Sequence, residues 1–231
     1  MLNEDIIKLD RGRVNARILR KEAKADFRRI ESASRKIPTK LCSPELKRLY
    51  FRCFATLQLN VHYISVIART KLPHEVVEQV EGALKAQLEK LTAEVDEAIR
   101  GAELLCQSNG IMSLATYDTT PLAMDVPVIS PLSRRYLELM MKVDQLMPML
   151  ETLAIDEVIA MRELDLRKAL FKKLVRRVAG AARNFASGLR KRQSGPAEPN
   201  GVPQDSVEPQ EVAMVPNTDQ PAPPVAPASE A

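Results

Sequence analysis

Between Arg167 and Arg192 the chain places ten Lys and Arg residues and no Asp or Glu. Six of the ten are Arg, whose planar guanidinium fork can take two oxygens of one phosphate, whereas a Lys ammonium acts as a point charge. Leu170, Phe171, Leu174, Val175, Val178, Ala182, Phe185 and Leu189 are interleaved with them at steps of three and four. That spacing gathers the apolar groups on one stripe of a helix and leaves most of the charge on the others. The chemistry on offer is neutralisation of a polyanion along one face while the opposite face enters a core. Lys172, Lys173, Arg176, Arg177, Arg183 and Arg190 are the groups expected to contact phosphates.

Three partners fit such a helix. Water alone is one, but solvated helix faces ordinarily mix signs because opposite charges at i,i+4 stabilise a helix, and ten like charges repel. A membrane surface is another, with Phe171 and Phe185 dipping between head groups; the lack of Trp and the many alanines weigh against it. Double-stranded DNA is the third and the preferred one.

Other chemistry finds little support. His62 and His74 are the only histidines and lack a Cys or carboxylate at ligand spacing. Cys42, Cys53 and Cys106 form no Cys-x-x-Cys pair and read as reduced core cysteines. Acid pairs such as Asp96-Glu97 and Asp156-Glu157 sit in charged helices with no second acid placed for general acid–base work. With eight glycines in all there is no phosphate-cradling loop. The expectation is a protein that is not an enzyme, with no cofactor, no metal and no small-molecule substrate.

Charge is segregated along the chain. Residues 11–40 hold eleven bases against Glu22, Asp26 and Glu31, so Arg17, Arg20, Arg28 and Arg29 form a candidate second basic surface. Residues 193–231 carry six acids, no base and nine of the sixteen prolines. Removing them leaves 34 basic against 24 acidic residues. Such a stretch has no apolar periodicity and reads as a disordered acidic tail that competes for the cations of the basic helix. The start Met1-Leu2-Asn3-Glu4-Asp5 lacks a secretory pattern, and no run reaches the roughly 18 apolar residues that span a bilayer. A soluble, cytoplasmic protein is expected.

The elements that must position these groups are mostly helices. Aromatic residues make up only 4% and Leu, Val, Ala, Ile and Met fill the core, a composition suited to helix-on-helix packing. The expected fold is mostly α, an elongated bundle of four to five helices with at most a short β-ribbon. Its divisions are a basic segment over 1–40, a helical domain over 41–192 and the tail over 193–231.

Residues 13–18 suit either a short strand, from the alternation of Val14, Ala16 and Ile18, or a helix drawn on through Phe27, Ile30 and Ile37. Helix is favoured, because Leu19 to Ile37 contains neither Gly nor Pro. Ser43-Pro44-Glu45 has the grammar of a helix start, followed by Leu46, Leu49, Tyr50, Cys53, Leu57, Val61, Ile64 and Ala68 at helical spacing. Val77, Leu84, Leu91, Ala98 and Leu105 fall seven apart, and Val80, Leu88, Val95 and Ala102 fill the seam up to a cap at Asn109-Gly110. This seam over 74–106 serves either packing within the chain or a homodimer. Ala123–Ile129 could hold a short edge strand despite Pro127. Ser130-Pro131 opens a further helix, in which Pro148 is expected to cause a kink near Asp144. The basic helix starts between Asp156 and Glu163.

The run Ser130-Pro131-Leu132-Ser133-Arg134-Arg135-Tyr136-Leu137-Glu138-Leu139 continues with Val143-Asp144-Gln145-Leu146 and Leu150-Glu151-Thr152-Leu153. With the basic helix after it, this stretch, about residues 115–192, resembles the AcaB-like family of conjugative plasmids and integrative conjugative elements. The resemblance implies a transcriptional regulator of a mobile element whose DNA-binding part is distantly comparable to ribbon-helix-helix proteins. Those insert a two-stranded ribbon from a dimer into the major groove. Ala123–Ile129 or Val14–Ile18 could supply such a strand, but Pro127 interrupts the first and each offers few groups to read bases. The alternative is a helical adaptor or assembly protein of the conjugation apparatus, using its basic helix for a membrane or protein partner.

Overall fold

A computed structural model of the chain describes residues 13–24 and 32–193. Arg28, Arg29 and the acidic stretch from 194 onward lie outside the described residues. The described elements run α1 (Arg13–Lys24), β1 (Arg35–Leu41), α2 (44–70), α3 (His74–Ser108), β2 (Leu122–Val128), α4 (Pro131–Ile155) and α5 (Met161–Gln193).

Each long helix starts where local chemistry dictates. Ser43 caps α2 by accepting from the Leu46 N–H, with Pro44 in the first turn, and Ser130 caps α4 by accepting from Ser133 in the same way. At the other end of α3, Gly110 takes a positive φ of 69°, a conformation that glycine adopts without steric cost. The apolar positions of α2 that keep helical spacing, Leu46 through Ala68, are all buried. Two wide π turns, Tyr50–Phe54 and Tyr63–Ile67, interrupt that helix, and in the first of them Tyr50 stacks on Phe54 with ring centroids 5.1 Å apart.

The four long helices form a bundle with one crossover. Arg135 reaches Glu89 and, two turns on, Lys142 reaches Asp96, so α3 and α4 lie side by side in parallel. Tyr136 donates to the Val175 carbonyl and Glu151 pairs with Lys168, so α5 runs back antiparallel to α4. Lys168 also meets Glu45, and Tyr63 donates to Gln193, which sets α2 parallel to α5. The parallel α3–α4 pair requires the 109–130 segment to carry the chain back across the bundle, and β2 forms on that return.

Val77, Leu84, Leu88, Leu91, Val95, Ile99, Ala102 and Cys106 are buried on the inner face of α3. The heptad seam is therefore packed internally, chiefly against α4. Each buried Val, Leu or Ile among them contributes about 1.5–3 kcal/mol relative to exposure.

Near the N-terminus one reading holds and one changes. Residues 14–18 are helical: Asn15 and Ile18, one turn apart, face inward, and Asn15 donates to the carbonyls of Thr120 and Pro121. The helix does not reach Ile37, because Arg35–Leu41 pairs antiparallel with Leu122–Val128. Period-two burial decides this: Thr39 and Leu41 point inward while Lys36, Pro38 and Lys40 point outward, and Pro38 would break a helix interior. In a two-stranded ribbon every strand is an edge, so Pro38 and Pro127 are tolerated.

Polar side chains fasten this ribbon to the bundle. Buried Asp144 of α4 accepts from the N–H groups of Cys42 (2.7 Å) and Ser43 (2.9 Å) and from Ser43 Oγ (2.5 Å). Lys47, 2% exposed, donates to the Thr120 carbonyl at 2.6 Å. Gln58 donates to the Pro127 carbonyl and accepts from the Ile129 N–H. Helix α4 continues through Pro148; Thr152 Oγ1 donates to the Pro148 carbonyl and accepts from the Ala115 N–H.

Candidate nucleic-acid interface

Helix α5 divides its surface as its periodicity requires. Phe171, Leu174, Val175, Val178, Ala179, Ala182, Ala186 and Leu189 are buried, and Phe185 is half-buried. Lys173, Arg176, Arg177 and Arg183 are exposed, and none has an acidic partner among the described residues; Arg176 Nε donates only to the Lys172 carbonyl. Three cations elsewhere on the bundle are balanced: Arg69 by Glu81, Arg135 by Glu89 and Lys142 by Asp96.

Not every base of the run is available. Arg167 pairs with Glu163 at 2.5 Å. Lys168 lies between Glu45 (2.8 Å) and Glu151 in a largely enclosed cluster joining α2, α4 and α5. Burial alone would raise the Glu45 carboxyl, but the hydrogen bond from Lys168 and the charges of Lys168 and Lys172 hold it below its ordinary value. Burial alone would lower the Lys168 ammonium, and its bonds to Glu151 and Glu45 raise it instead. Tyr117 sits beside them on the crossover; burial first and the Glu151 and Glu45 charges second push its hydroxyl well above the usual phenol range. Lys172 is half-buried at the edge of this cluster, so its charge is partly committed to Glu45. Arg190 is exposed but lays its guanidinium 4.1 Å from the centroid of the Tyr63 ring.

Of the second basic surface, Arg17 and Arg20 are described, and further bases lie near them. Arg17 and Arg20 are exposed on α1; Arg20 donates to the Ala16 carbonyl, and the Arg17 guanidinium lies 5.8 Å from the Phe51 ring centroid. Around that ring Arg17 shares a hollow with Arg48 and Arg52 of α2. These two arginines were not singled out from the sequence, although their i,i+4 spacing opposite buried Leu49 and Cys53 marks an outward face. The ribbon adds Arg35, Lys36 and Lys40, all exposed, with Asp125 opposite Pro38 between the two lysines. Period-two alternation was the signal for that face, and it is readable only once β1 is recognised as a strand. A two-stranded ribbon is also of the width that a DNA major groove admits. Here both strands come from one chain, unlike the ribbon of ribbon-helix-helix dimers.

What this arrangement can do is bind anions over an area. Among the described residues, no group of three His, Cys, Asp or Glu side chains is placed to hold a metal ion. Among them too, no helix is long and apolar enough to cross a membrane.

No protein-family model and no curated protein matches the sequence. The crystal structure of selenomethionine-containing AcaB from uropathogenic E. coli does match in three dimensions, with a TM-score of 0.67 and 22% identity. The match covers 71% of this chain and 84% of the AcaB chain. The fold of this chain is thus similar to that of AcaB, from the family that the 130–153 run and the basic helix resemble.

Proposed function

We propose that the protein is a DNA-binding transcriptional regulator of a conjugative or integrative mobile element. Lys173, Arg176, Arg177 and Arg183 of α5 are the principal phosphate contacts, with Lys172 and Arg190 in supporting positions. Arg17, Arg20, Arg48 and Arg52 provide a second contact surface, and Lys36 and Lys40 bring the ribbon to the duplex; Arg28 and Arg29 extend the basic run of α1 in sequence. The observation that carries this reading is the set of exposed α5 cations without acidic partners, on a helix whose other face is locked into the core. A protein without an anionic partner gains nothing from keeping like charges unbalanced along one face, because they repel. The regulatory part of the reading comes from the likeness to AcaB-like proteins.

The test is a direct comparison of partners at low ionic strength. The full chain is titrated with a duplex of mixed sequence and, separately, with vesicles containing anionic phospholipid. Binding to the duplex that weakens on Arg176→Gln and Arg177→Gln supports the proposal. Binding to vesicles alone would replace it with the adaptor reading.

A further inference from the structure

Helix α5 exposes a line of side chains that its core role does not explain. Glu163, Leu166, Leu170, Lys173 and Arg177 follow one another at alternating steps of three and four, which places them on one stripe of the helix. Leu166 is 62% exposed and Leu170 is 50% exposed, and Lys173 and Arg177 are exposed beyond them. Glu163, at the start of the stripe, is half-buried. This is the spacing of a helix-pairing seam, turned outward. A nucleic acid uses the cations and leaves both leucines in water.

The charge order along the stripe selects what covers it. An acid stands first, the leucines follow, and the cations close the run. Reversed, that order is its own complement. When two copies of α5 lie antiparallel about a two-fold axis at Leu170, Glu163 of each faces Arg177 of the other. Leu170 then meets Leu170, and the Lys173 stem covers Leu166. A parallel pair would set Glu163 against Glu163 and Arg177 against Arg177. Glu163 meets Arg167 of its own chain through Oε1, and a carboxylate has acceptor sites for a second cation. Arg177 has no acidic partner among the described residues.

We propose that this stripe is a self-docking surface, on which α5 of a second copy of the chain lies antiparallel. The pairing rests on the order of charged and apolar groups along the stripe. Its consequence for DNA rests on the function proposed above: duplex and second copy compete for Lys173 and Arg177.

Sedimentation of the full chain without DNA tests the pairing. One helix stripe is a small interface, so the average mass should rise toward that of two copies at about 0.1–1 mM protein. E163R and R177E should each stay single, because like charges then face each other at both ends of the seam. An equal mixture of the two should pair, and so should the E163R/R177E double variant. Those two rescues exclude misfolding as the reason the single variants fail. An unaltered chain that stays single throughout, or a mixture that does not pair, would overturn the proposal. So would an unpaired chain held on anionic vesicles by a contact that L166Q/L170Q removes, which would give the stripe to a lipid surface. The competition is read from the L170C variant, whose thiols meet on the axis and join the two copies on oxidation. With the face covered about nine-tenths of the time, the joined pair should bind duplex at low salt about tenfold more weakly than the same variant after reduction. Equal affinity would overturn the competition. If no form binds duplex, the proposed function fails, while sedimentation still decides the pairing.

Discussion

Replacing Asp144 with Ala removes a carboxylate that accepts three hydrogen bonds at the entry to α2. The Ser43 N–H sits in a fully buried residue and would lose its acceptor, at about 1–3 kcal/mol. The Cys42 N–H belongs to a half-buried residue, where water can recover part of the loss, so about 1 kcal/mol is assigned to it. Loss of the negative charge at the N-terminus of α2 adds about 0.3–1 kcal/mol. Relief from desolvating the carboxylate offsets part of this, and the net cost is about 3 kcal/mol. With a urea m-value of about 2 kcal/mol/M, the midpoint of unfolding followed by far-UV circular dichroism falls by about 1.5 M. Asp144→Asn keeps one acceptor and should lose about half as much. In a double-mutant cycle, Asp144→Asn and Ser43→Ala should couple by about 1 kcal/mol. A midpoint shift below about 0.5 M for Asp144→Ala, or strict additivity in the cycle, would refute this account of how the ribbon is fastened.

Three further outcomes follow from the same geometry. Lys168→Met leaves Glu45 and Glu151 uncompensated and should destabilise by about 3–5 kcal/mol, whereas adding Glu45→Gln and Glu151→Gln should restore most of it, as read by urea unfolding. Leu88→Ala, in the α3 seam, should cost about 2–5 kcal/mol without altering the mass seen by sedimentation at any protein concentration; a change of oligomeric state would return the seam to a dimer role. Stability should fall at both ends of the pH range. The lowered Glu45 contributes stability that is present above its unfolded pKa and lost as pH falls through its folded one. Raised Lys168, Tyr117 and Tyr136 contribute stability that is present below their unfolded pKa values and lost as pH rises toward their folded ones. Thermal melts of Tyr117→Phe should show a weaker alkaline loss than the unaltered chain, and an unchanged alkaline limb would exclude Tyr117 as a cause.

Legibility from sequence followed the range of the forces involved. Helix α4 announced its start through Ser130-Pro131, α3 its inner face through the seven-residue seam, and α5 its two faces through apolar steps of three and four. All of these are local signals. Strand β1 was missed because Arg35–Leu41 becomes a strand by pairing with Leu122–Val128, more than 80 residues away and placed by the crossover. Asp144 looked like one charge among several on α4, and its three bonds lie 101 and 102 residues away in sequence. Lys168 was indistinguishable from its basic neighbours until Glu45 and Glu151 were brought beside it. Arg48 and Arg52 belong to no long run of charge and lie on the outward side of a helix defined by its core, so only the folded α2 marks them.

The salt dependence of duplex binding tests the central claim most directly. Counterion release gives a log–log slope of about −0.9 for each phosphate neutralised, so the full chain should bind at low salt and weaken steeply as salt rises. Changing Lys173, Arg176 and Arg177 together to Gln should make the slope shallower by about 2 to 3 while the helical circular dichroism stays unchanged. A slope that the triple substitution leaves untouched, or no duplex binding at any salt, would contradict the assignment of α5 as the phosphate-binding face.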